Sequence, residues 1–138
     1  MGRSLTDAEP IRRRGVLDTS VLLADDVPPI PGDLAISTAS IAELHFGILL
    51  TEDPAERATR LQRVGELESF FEALPIDAAV AREYGRLAAA TVYIGRQPRG
   101  RVMDLLIAAT AAAHGAALYT RNPEDLKGLE RLVDVVAV

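Results

Sequence analysis

The stretch GVLDTSVLL, residues 15–23, decides how the rest of the chain is interpreted. Val16 and Leu17 form an apolar run that stops at Asp18, a pair of hydroxyl residues follows, and the apolar pattern then resumes. A short apolar run with polar residues at its end predicts a buried strand, and a short helix is predicted behind it, at 19–26. The carboxylate at the tip of the strand has two explanations, a helix cap or part of a functional site.

Strands and helices alternate along the remaining chain. Apolar segments that predict strands lie at 15–17, 34–37, 72–76, 116–119 and 132–138. Helical patterns lie between them, and they start near residues 19, 40, 54, 78 and 102. Because the strands are short continuous apolar runs, the pattern predicts an α/β fold with a parallel sheet covered by helices on both faces. Pro75 places the segment 72–76 at an edge of that sheet.

Length and composition predict one domain. The chain has 138 residues, of which 49% are hydrophobic, and it contains no linker or repeat. We assign residues 15–138 to the domain and residues 1–14 to a mobile N-terminal extension. The polar start does not resemble a signal peptide, and the longest apolar stretch, 105–119, is too short to span a bilayer. We therefore expect a cytoplasmic protein that does not enter a membrane.

The residue types restrict the chemistry of any site. The chain has no cysteine and only two histidines, His45 and His114. A metal ion would therefore be held by oxygen ligands, which favours Mg²⁺ or Mn²⁺ over Zn²⁺. The net charge of −5 does not by itself indicate nucleic acid binding. Arginines cluster at 12–14 and at 96–101, and a solvated surface explains each cluster equally well.

Four acidic residues are predicted to meet at one edge of the sheet. In open α/β sheets, ligands bind beyond the carboxyl ends of the strands. Asp18 ends the first strand, Glu43 lies in the first turn of the helix after the second strand, and Asp125 closely follows the fourth strand. Asp104 lies in the first turn of the helix before the fourth strand. It reaches the same edge only if the loop 95–101 brings the start of that helix to this side.

Each acid, taken singly, also has an ordinary structural explanation. Asp18 could cap the helix behind it, and Ser40 with Glu43 forms a capping-box pattern. Asp104 could complement its helix dipole and Asp125 could be a turn residue. Asp104 fits such an explanation least well, because its helix, VMDLLIAATAAA, is apolar nearly all round. Carboxylates gathered in one place repel each other, and a hard divalent cation offsets that repulsion.

Three segments of the sequence resemble a known family. They are VLDTSVLL, SIAELHFGI and MDLLIAATAAAHGAALYTRNPEDL. They resemble PIN-domain ribonucleases and, more closely, the VapC toxins of bacterial and archaeal toxin–antitoxin pairs. The resemblance extends from residue 15 to the C-terminus, and it is specific because four separated motifs occur in the right order.

The resemblance implies a single PIN-like domain with a five-stranded parallel sheet in the order 3-2-1-4-5. It implies a ribonuclease that hydrolyses RNA phosphodiester bonds with Mg²⁺ or Mn²⁺. It also implies a homodimer, and a VapB-like antitoxin with which the toxin forms a hetero-oligomer. The phenylalanines at 46, 70 and 71 are candidates for a dimer face or for an antitoxin groove.

Roles for individual residues follow from the same resemblance. It implies four catalytic and metal-binding acids: Asp18, Glu43, Asp104 and Asp125. Three further residues would orient the carboxylates or water: Ser20, Thr120 and Asn122. Arg99 and Arg101, in the loop before Asp104, are candidate contacts to RNA phosphates. The fourth acid is the least certain, because Glu124 lies beside Asp125 and Leu126 stands where the family often has phenylalanine.

Two other functional classes remain open. A catalytically inactive PIN-like scaffold that only binds RNA or protein would have lost some of the acids, whereas all four are present here. A phosphoacceptor signalling domain of related topology would bind Mg²⁺ near Asp18 and would need a lysine at a late strand end. Lys127 is the only late lysine, and it lies in a predicted turn region.

Overall fold

The structure, a computed structural model, describes residues 13–138, so most of the predicted N-terminal extension, residues 1–12, lies outside the described residues. The first strand begins at Arg14, one residue before the predicted start of the domain. The elements in chain order are β1 (Arg14–Leu17), α1 (Thr19–Leu22), β2 (Asp33–Ser37), α2 (Thr38–Leu50), α3 (Pro54–Phe70), β3 (Glu72–Leu74), α4 (Ala78–Tyr93), α5 (Val102–Ala113), β4 (Ala117–Thr120), a 3₁₀ helix (Pro123–Leu126) and β5 (Asp134–Ala137).

The five strands form one parallel sheet in the order β3-β2-β1-β4-β5, which confirms the predicted topology. β1 lies at the centre and pairs with β2 on one side and with β4 on the other. The chain first builds the sheet outwards from β1 to β3 and then returns to the other side of β1. This reversal places the topological switch point between β1 and β4, where α/β sheets open a crevice for ligands. β3 is an edge strand, as Pro75 predicts.

Helices cover both faces of the sheet, as the apolar strands predict. Alternate residues of a strand point to opposite faces, so Val16 and Leu17 enter two different apolar cores. Val16 packs in the core that contains Leu87 of α4 and most buried residues of α5. Leu17 packs in the core that contains buried residues of α1, α2 and α3. No helix within residues 13–138 is both long and apolar enough to cross a membrane.

The sequence predicts α4 and α5 well because their ends carry strong local signals. The Asp77 carboxylate accepts a hydrogen bond from the Val80 N–H at 3.0 Å and caps α4. α5 runs from Val102 to Ala113, as predicted, and is followed by Gly115 with φ of +60°. A glycine adopts that left-handed conformation without strain, so the helix ends there.

The prediction for the start of α2 is wrong by two residues. The helix begins at Thr38, and the Ser37 hydroxyl caps it by accepting the Ala39 N–H at 3.1 Å. Because Ser37 is also the last residue of β2, the chain passes from strand to helix with no loop. Glu43 therefore lies in the second turn and not in the first, and the capping-box explanation for Ser40 and Glu43 is wrong.

α1 is also shorter than predicted, since it ends at Leu22 and not near Asp26. Two acidic residues that follow the helix form ion pairs with arginines elsewhere in the chain. Asp25 lies 3.4 Å from Arg63 on α3, and Asp26 lies 2.5 Å from Arg121 after β4. Both acids thus form their ion pairs outside the helix, and the prolines at 28 and 29 prevent any helix from continuing past them.

Candidate active site at the carboxyl edge of the sheet

A pocket opens at the carboxyl ends of β1, β2 and β4 and contains all four predicted acids. The loop 95–101 does bring the start of α5 to this edge, as the placement of Asp104 requires. The pocket is lined by Asp18, Thr19, Ser20, Glu43, Asp104, Ile107, Leu118, Thr120, Asn122, Asp125 and Leu126. The structure thus brings together four carboxylates from four separated segments, and the three predicted orienting residues Ser20, Thr120 and Asn122 line the same pocket.

Asp18 is held at the switch point of the sheet. Its backbone N–H donates to the Tyr119 carbonyl of β4 at 3.0 Å. Its side-chain Oδ1 accepts the Val21 N–H at 3.2 Å and the Ser20 hydroxyl at 2.5 Å. The helix-cap explanation is therefore correct, and it coexists with the pocket position. Because both hydrogen bonds end on Oδ1, the other carboxylate oxygen stays outside this network.

Glu43 is held by the hydroxyl of Thr19, a residue that is not among the predicted site residues. The Thr19 hydroxyl donates to Glu43 Oε1 at 2.7 Å, and Thr19 Oγ1 also lies 3.2 Å from Ser40 Oγ. Ser40 is fully buried on α2, so this contact fixes α1 against α2 below the pocket. The signal for Thr19 was present in the sequence, since Thr19 is the first of the two hydroxyl residues directly behind Asp18.

The surroundings of Asp104 raise the pKa of its carboxyl group. The residue is exposed as a whole, yet loss of hydration at its carboxyl group is the largest cause that raises its pKa. The negative charges of Glu43, Asp125 and Asp18 raise that pKa further, and the nearby Arg101 guanidinium lowers it in part. The pKa of Asp104 thus responds to the other three acids, which places all four within electrostatic reach of one another.

The 3₁₀ helix presents Asp125 and not Glu124 to the pocket. Asp125 lines the pocket and contributes to the raised pKa of Asp104, whereas Glu124 is not among the lining residues. The turn that leads to this helix is closed by Asn122, whose N–H donates to Thr120 Oγ1 at 3.0 Å and whose carbonyl accepts the Asp125 N–H at 3.1 Å.

The arginines of the loop 95–101 differ in their contacts. Arg101 donates to the Asp125 carbonyl at 2.8 Å, and Arg96 lies 3.3 Å from the carbonyls of Glu124 and Asp125. Arg99 is exposed and forms no hydrogen bond or ion pair with the rest of residues 13–138. The predicted RNA contact of Arg99 and Arg101 stays a prediction, but the Arg101 guanidinium is already bound to the protein backbone.

The ligand atoms available in the pocket suit a hard divalent ion. Four carboxylates supply only oxygen, the donor type that Mg²⁺ and Mn²⁺ prefer, and their mutual repulsion decreases when a cation binds. Among residues 13–138, no group of three or more His, Asp or Glu side chains is arranged to hold a metal ion as it stands. A divalent ion that keeps several water ligands would need only one or two of these carboxylates as direct ligands.

We expect the substitution Asp104→Asn to raise the melting temperature of the metal-free chain at pH 7. A raised pKa means that the folded chain binds this proton more tightly than the unfolded chain does. The penalty is therefore absent below the ordinary pKa of aspartate, grows as pH rises through the raised value, and is complete at neutral pH. Thermal unfolding in a chelator between pH 3 and 8 measures the difference between variant and wild type.

Glu52→Gln is the control for this prediction, because Glu52 is exposed and lies outside the pocket. It removes one negative charge without relieving the cluster, so its melting temperature should stay close to that of the wild type. A melting temperature of Asp104→Asn equal to or below that of the wild type at pH 7 would show that the carboxylates do not repel one another appreciably.

Comparison with known proteins identifies the family to which the chain belongs. The PIN domain family model matches residues 15–131. Ribonuclease VapC5 of Mycobacterium tuberculosis is 36% identical over 129 residues, which cover 88% of this chain and 91% of that protein. Ribonuclease VapC4 of the same organism is 32% identical over 116 residues, which cover 80% of this chain and 87% of that protein.

Solved structures with the same fold include toxin–antitoxin proteins. VapBC-5 from Mycobacterium tuberculosis, a member of the VapBC family of toxin–antitoxin systems, matches with a TM-score of 0.75 at 34% identity, covering 91% of this chain and 97% of that chain. FitAcB from Neisseria gonorrhoeae shares the fold, with a TM-score of 0.71 at 23% identity over 88% of this chain and 95% of that chain. Since the family model and the VapC relatives each match most of its length, the chain belongs to the PIN-domain family, in its VapC group.

Proposed function

We propose that this chain is a ribonuclease that hydrolyses RNA phosphodiester bonds with Mg²⁺ or Mn²⁺, and that it is the toxin of a VapBC-type pair. The observation that carries the proposal is the pocket in which acids from four separated segments meet at the switch point of the sheet. The VapC relatives at 36% and 32% identity, both ribonucleases by name, support the reaction class.

The four acids would hold the cation: Asp18, Glu43, Asp104 and Asp125. A bound divalent ion would lower the pKa of the attacking water. It would also stabilise the negative charge that develops on the phosphate oxygens. The chain's own residues position this chemistry. Ser20 and the α1 backbone hold one oxygen of Asp18, and Thr19 holds one oxygen of Glu43.

The two alternative classes have less support. A scaffold that only binds RNA or protein has no need to keep four carboxylates in one pocket, where their repulsion costs stability. A phosphoacceptor domain would need a lysine at the pocket. Lys127 is exposed behind the 3₁₀ helix and is not among the residues that line the pocket.

We expect Asp104→Asn and Asp125→Asn each to reduce Mg²⁺- or Mn²⁺-dependent RNA cleavage by at least about 100-fold, because each removes one charged ligand at the reacting phosphate. The measurement is cleavage of total RNA by the purified chain, with mapping of the cut ends, in Mg²⁺, in Mn²⁺ and in a chelator. Circular dichroism would establish that each variant is folded.

Glu124→Gln is the matched control, because Glu124 is the neighbouring acid that does not line the pocket. This variant should cleave like the wild type. Cleavage by purified Asp104→Asn at the wild-type rate, or undiminished cleavage in a chelator, would refute the proposed metal-dependent mechanism. Loss of cleavage in Glu124→Gln with normal cleavage in Asp125→Asn would make Glu124 the fourth acid.

Thr19→Val tests whether the hydroxyl contact to Glu43 matters for cleavage. The substitution keeps the shape of the side chain but removes the donor 2.7 Å from Glu43 Oε1. Partners that orient metal ligands typically contribute 10–100-fold to affinity or activity, so we expect a loss of about that size. Thr19→Ser keeps the hydroxyl and should retain most of the activity. Equal rates for the valine and serine variants would exclude an orienting role.

An apolar groove next to the pocket is the proposed site for the antitoxin. It lies between α2 and α3, with an apolar floor that includes Leu44, Ile48, Val64 and Leu67. The lining also includes Thr19 and Glu43, so the groove is continuous with the acidic pocket. An amphipathic helix placed in this groove would therefore lie directly beside the catalytic carboxylates.

We expect Gly47→Gln to weaken antitoxin binding by at least about tenfold, because Gly47 lines the groove and its Cβ would meet no atom within 4 Å. The new side chain would occupy the groove without disturbing the helix. Gly65→Gln is the matched control, since Gly65 is also helical with an open Cβ position but lies outside the groove. The measurement is co-purification of a small partner from source cells by each tagged variant, followed by titration of the recovered partner. Equal binding by both variants would place the antitoxin elsewhere.

The homodimer stays a prediction of the family resemblance. Large apolar side chains remain exposed on the described surface, with Phe46 at 64%, Leu49 at 75% and Phe70 at 82% relative exposure, whereas Phe71 packs partly into the core. These exposed side chains suit a contact with a second copy or with the antitoxin.

A further inference from the structure

We propose that Arg101, assisted by Arg96, is a positioning residue that clamps the backbone of the 3₁₀ helix and thereby sets the position of the Asp125 carboxylate in the pocket. The inference rests on the proposed function, because it treats Asp125 as part of a cation site. It assigns to Arg101 a role other than the RNA contact that its charge suggests.

The 3₁₀ helix has little support of its own. It is four residues long, and Asn122 at its start provides no side-chain cap. Short 3₁₀ segments have poorer hydrogen-bond geometry than α-helices. Asp125 itself is exposed, so core packing does not fix its side chain, although the next residue, Leu126, is buried. The direction of the Asp125 side chain therefore depends on how its backbone is held.

The Asp125 carbonyl lacks its usual backbone donors. In a 3₁₀ helix the donor would be the N–H three residues later, and that N–H, of Gly128, donates to Glu130 Oε2 at 2.8 Å. The N–H four residues later, of Leu129, donates to the Leu126 carbonyl at 3.0 Å. The carbonyl is thus left for side-chain donors.

Two guanidinium groups fill that position. Arg101 Nη1 donates to the Asp125 carbonyl at 2.8 Å, and Arg96 Nη1 lies 3.3 Å from both this carbonyl and that of Glu124. A charged donor makes a stronger hydrogen bond than a neutral one, and the planar guanidinium holds a defined geometry. Arg101 provides the shorter contact and is therefore the principal clamp.

The backbone of Arg101 is fixed at the start of α5, so its side chain can hold the Asp125 backbone in a defined place. It is the N-cap residue of α5, its N–H donates to Pro98 at 2.9 Å, and its carbonyl accepts the Leu105 N–H at 2.9 Å. It stands three residues before Asp104, in the same helix start. One side chain therefore connects the backbone of one acid, Asp104, with the backbone of another, Asp125.

A clamp and a simple charge effect predict opposite results. Arg101 is a positive charge near Asp104, and its removal would by itself strengthen the binding of a cation in the pocket. If Arg101 instead positions Asp125, its removal leaves the Asp125 carboxylate without a fixed position, and cation binding becomes weaker. The sign of the change in Mn²⁺ affinity therefore separates the two roles.

The experiment is calorimetric titration of the full chain with Mn²⁺ alone, comparing wild type, Arg101→Met, Arg101→Lys, Arg96→Met and Arg99→Met. We expect Arg101→Met to weaken Mn²⁺ binding by about 10–100-fold, the usual effect of losing a partner that orients a metal ligand. Arg96→Met should weaken it less, and Arg101→Lys should restore part of the affinity. Arg99→Met removes the same charge from the same loop without touching the 3₁₀ helix, so its affinity should equal or exceed that of the wild type.

Unchanged or tighter Mn²⁺ binding by Arg101→Met would overturn the clamp while leaving the metal site in place. Failure of the wild type to bind Mn²⁺ would instead refute the proposed function, and the clamp would fall with it. Amide hydrogen exchange in a chelator provides a measurement without metal. Arg101→Met should speed exchange at residues 126–129 and leave the strands unchanged, and a variant with unaltered exchange there would also overturn the inference.

Discussion

The mutual repulsion of the carboxylates at the switch point is the constraint on which the rest of the site depends. Parallel strands end at the same edge, so acids placed after β1, in α2 after β2 and after β4 meet in one pocket. The fourth acid reaches the pocket from the other direction, at the start of α5. Loss of hydration raises the pKa of Asp104, and the negative charges of Glu43, Asp125 and Asp18 raise it further.

Neutral and positive donors around the pocket offset part of this repulsion. Hydroxyls of Ser20 and Thr19 donate to two of the acids, and the Val21 N–H donates to Asp18. Asp104 is different, because loss of hydration acts on it in the same direction as the other acids. The surroundings of Asp104 therefore favour the neutral form of its carboxyl group.

Much of the fold could be predicted because its signals are local and periodic. The bounds of α5, the cap of α4 and the edge position of β3 each depend on a few adjacent residues. The end of β2 at Ser37 is predicted correctly, but the start of α2 at Ser40 is not, because Ser37 is also the cap of α2 and no loop separates the strand from the helix. The predicted end of α1 at Asp26 is wrong, since the helix ends at Leu22 and the acids behind it pair with arginines far along the chain.

The sequence predicts the four acids and the Ser20 hydroxyl that donates to Asp18, but it does not predict the contacts that Thr19 and Arg101 make with Glu43 and Asp125. An acid after an apolar strand is visible in the sequence, and the structure places all four predicted acids in one pocket. The contact from Arg101 to the Asp125 backbone spans 24 residues and follows no period, so charge alone suggested a phosphate contact instead.

Few free positive charges of the described residues lie near the pocket to attract a polyanion such as RNA. Within the loop 95–101, Arg96 and Arg101 are bound to carbonyls, and Arg121 near the pocket is paired with Asp26. Arg99 is exposed and forms no hydrogen bond or ion pair within residues 13–138. The single positive charge of Arg99 does not outweigh four carboxylates at the short range where charges interact strongly. Under the proposed function, a cation bound by the four acids would neutralise this charge, and RNA binding at this edge would then depend on that cation.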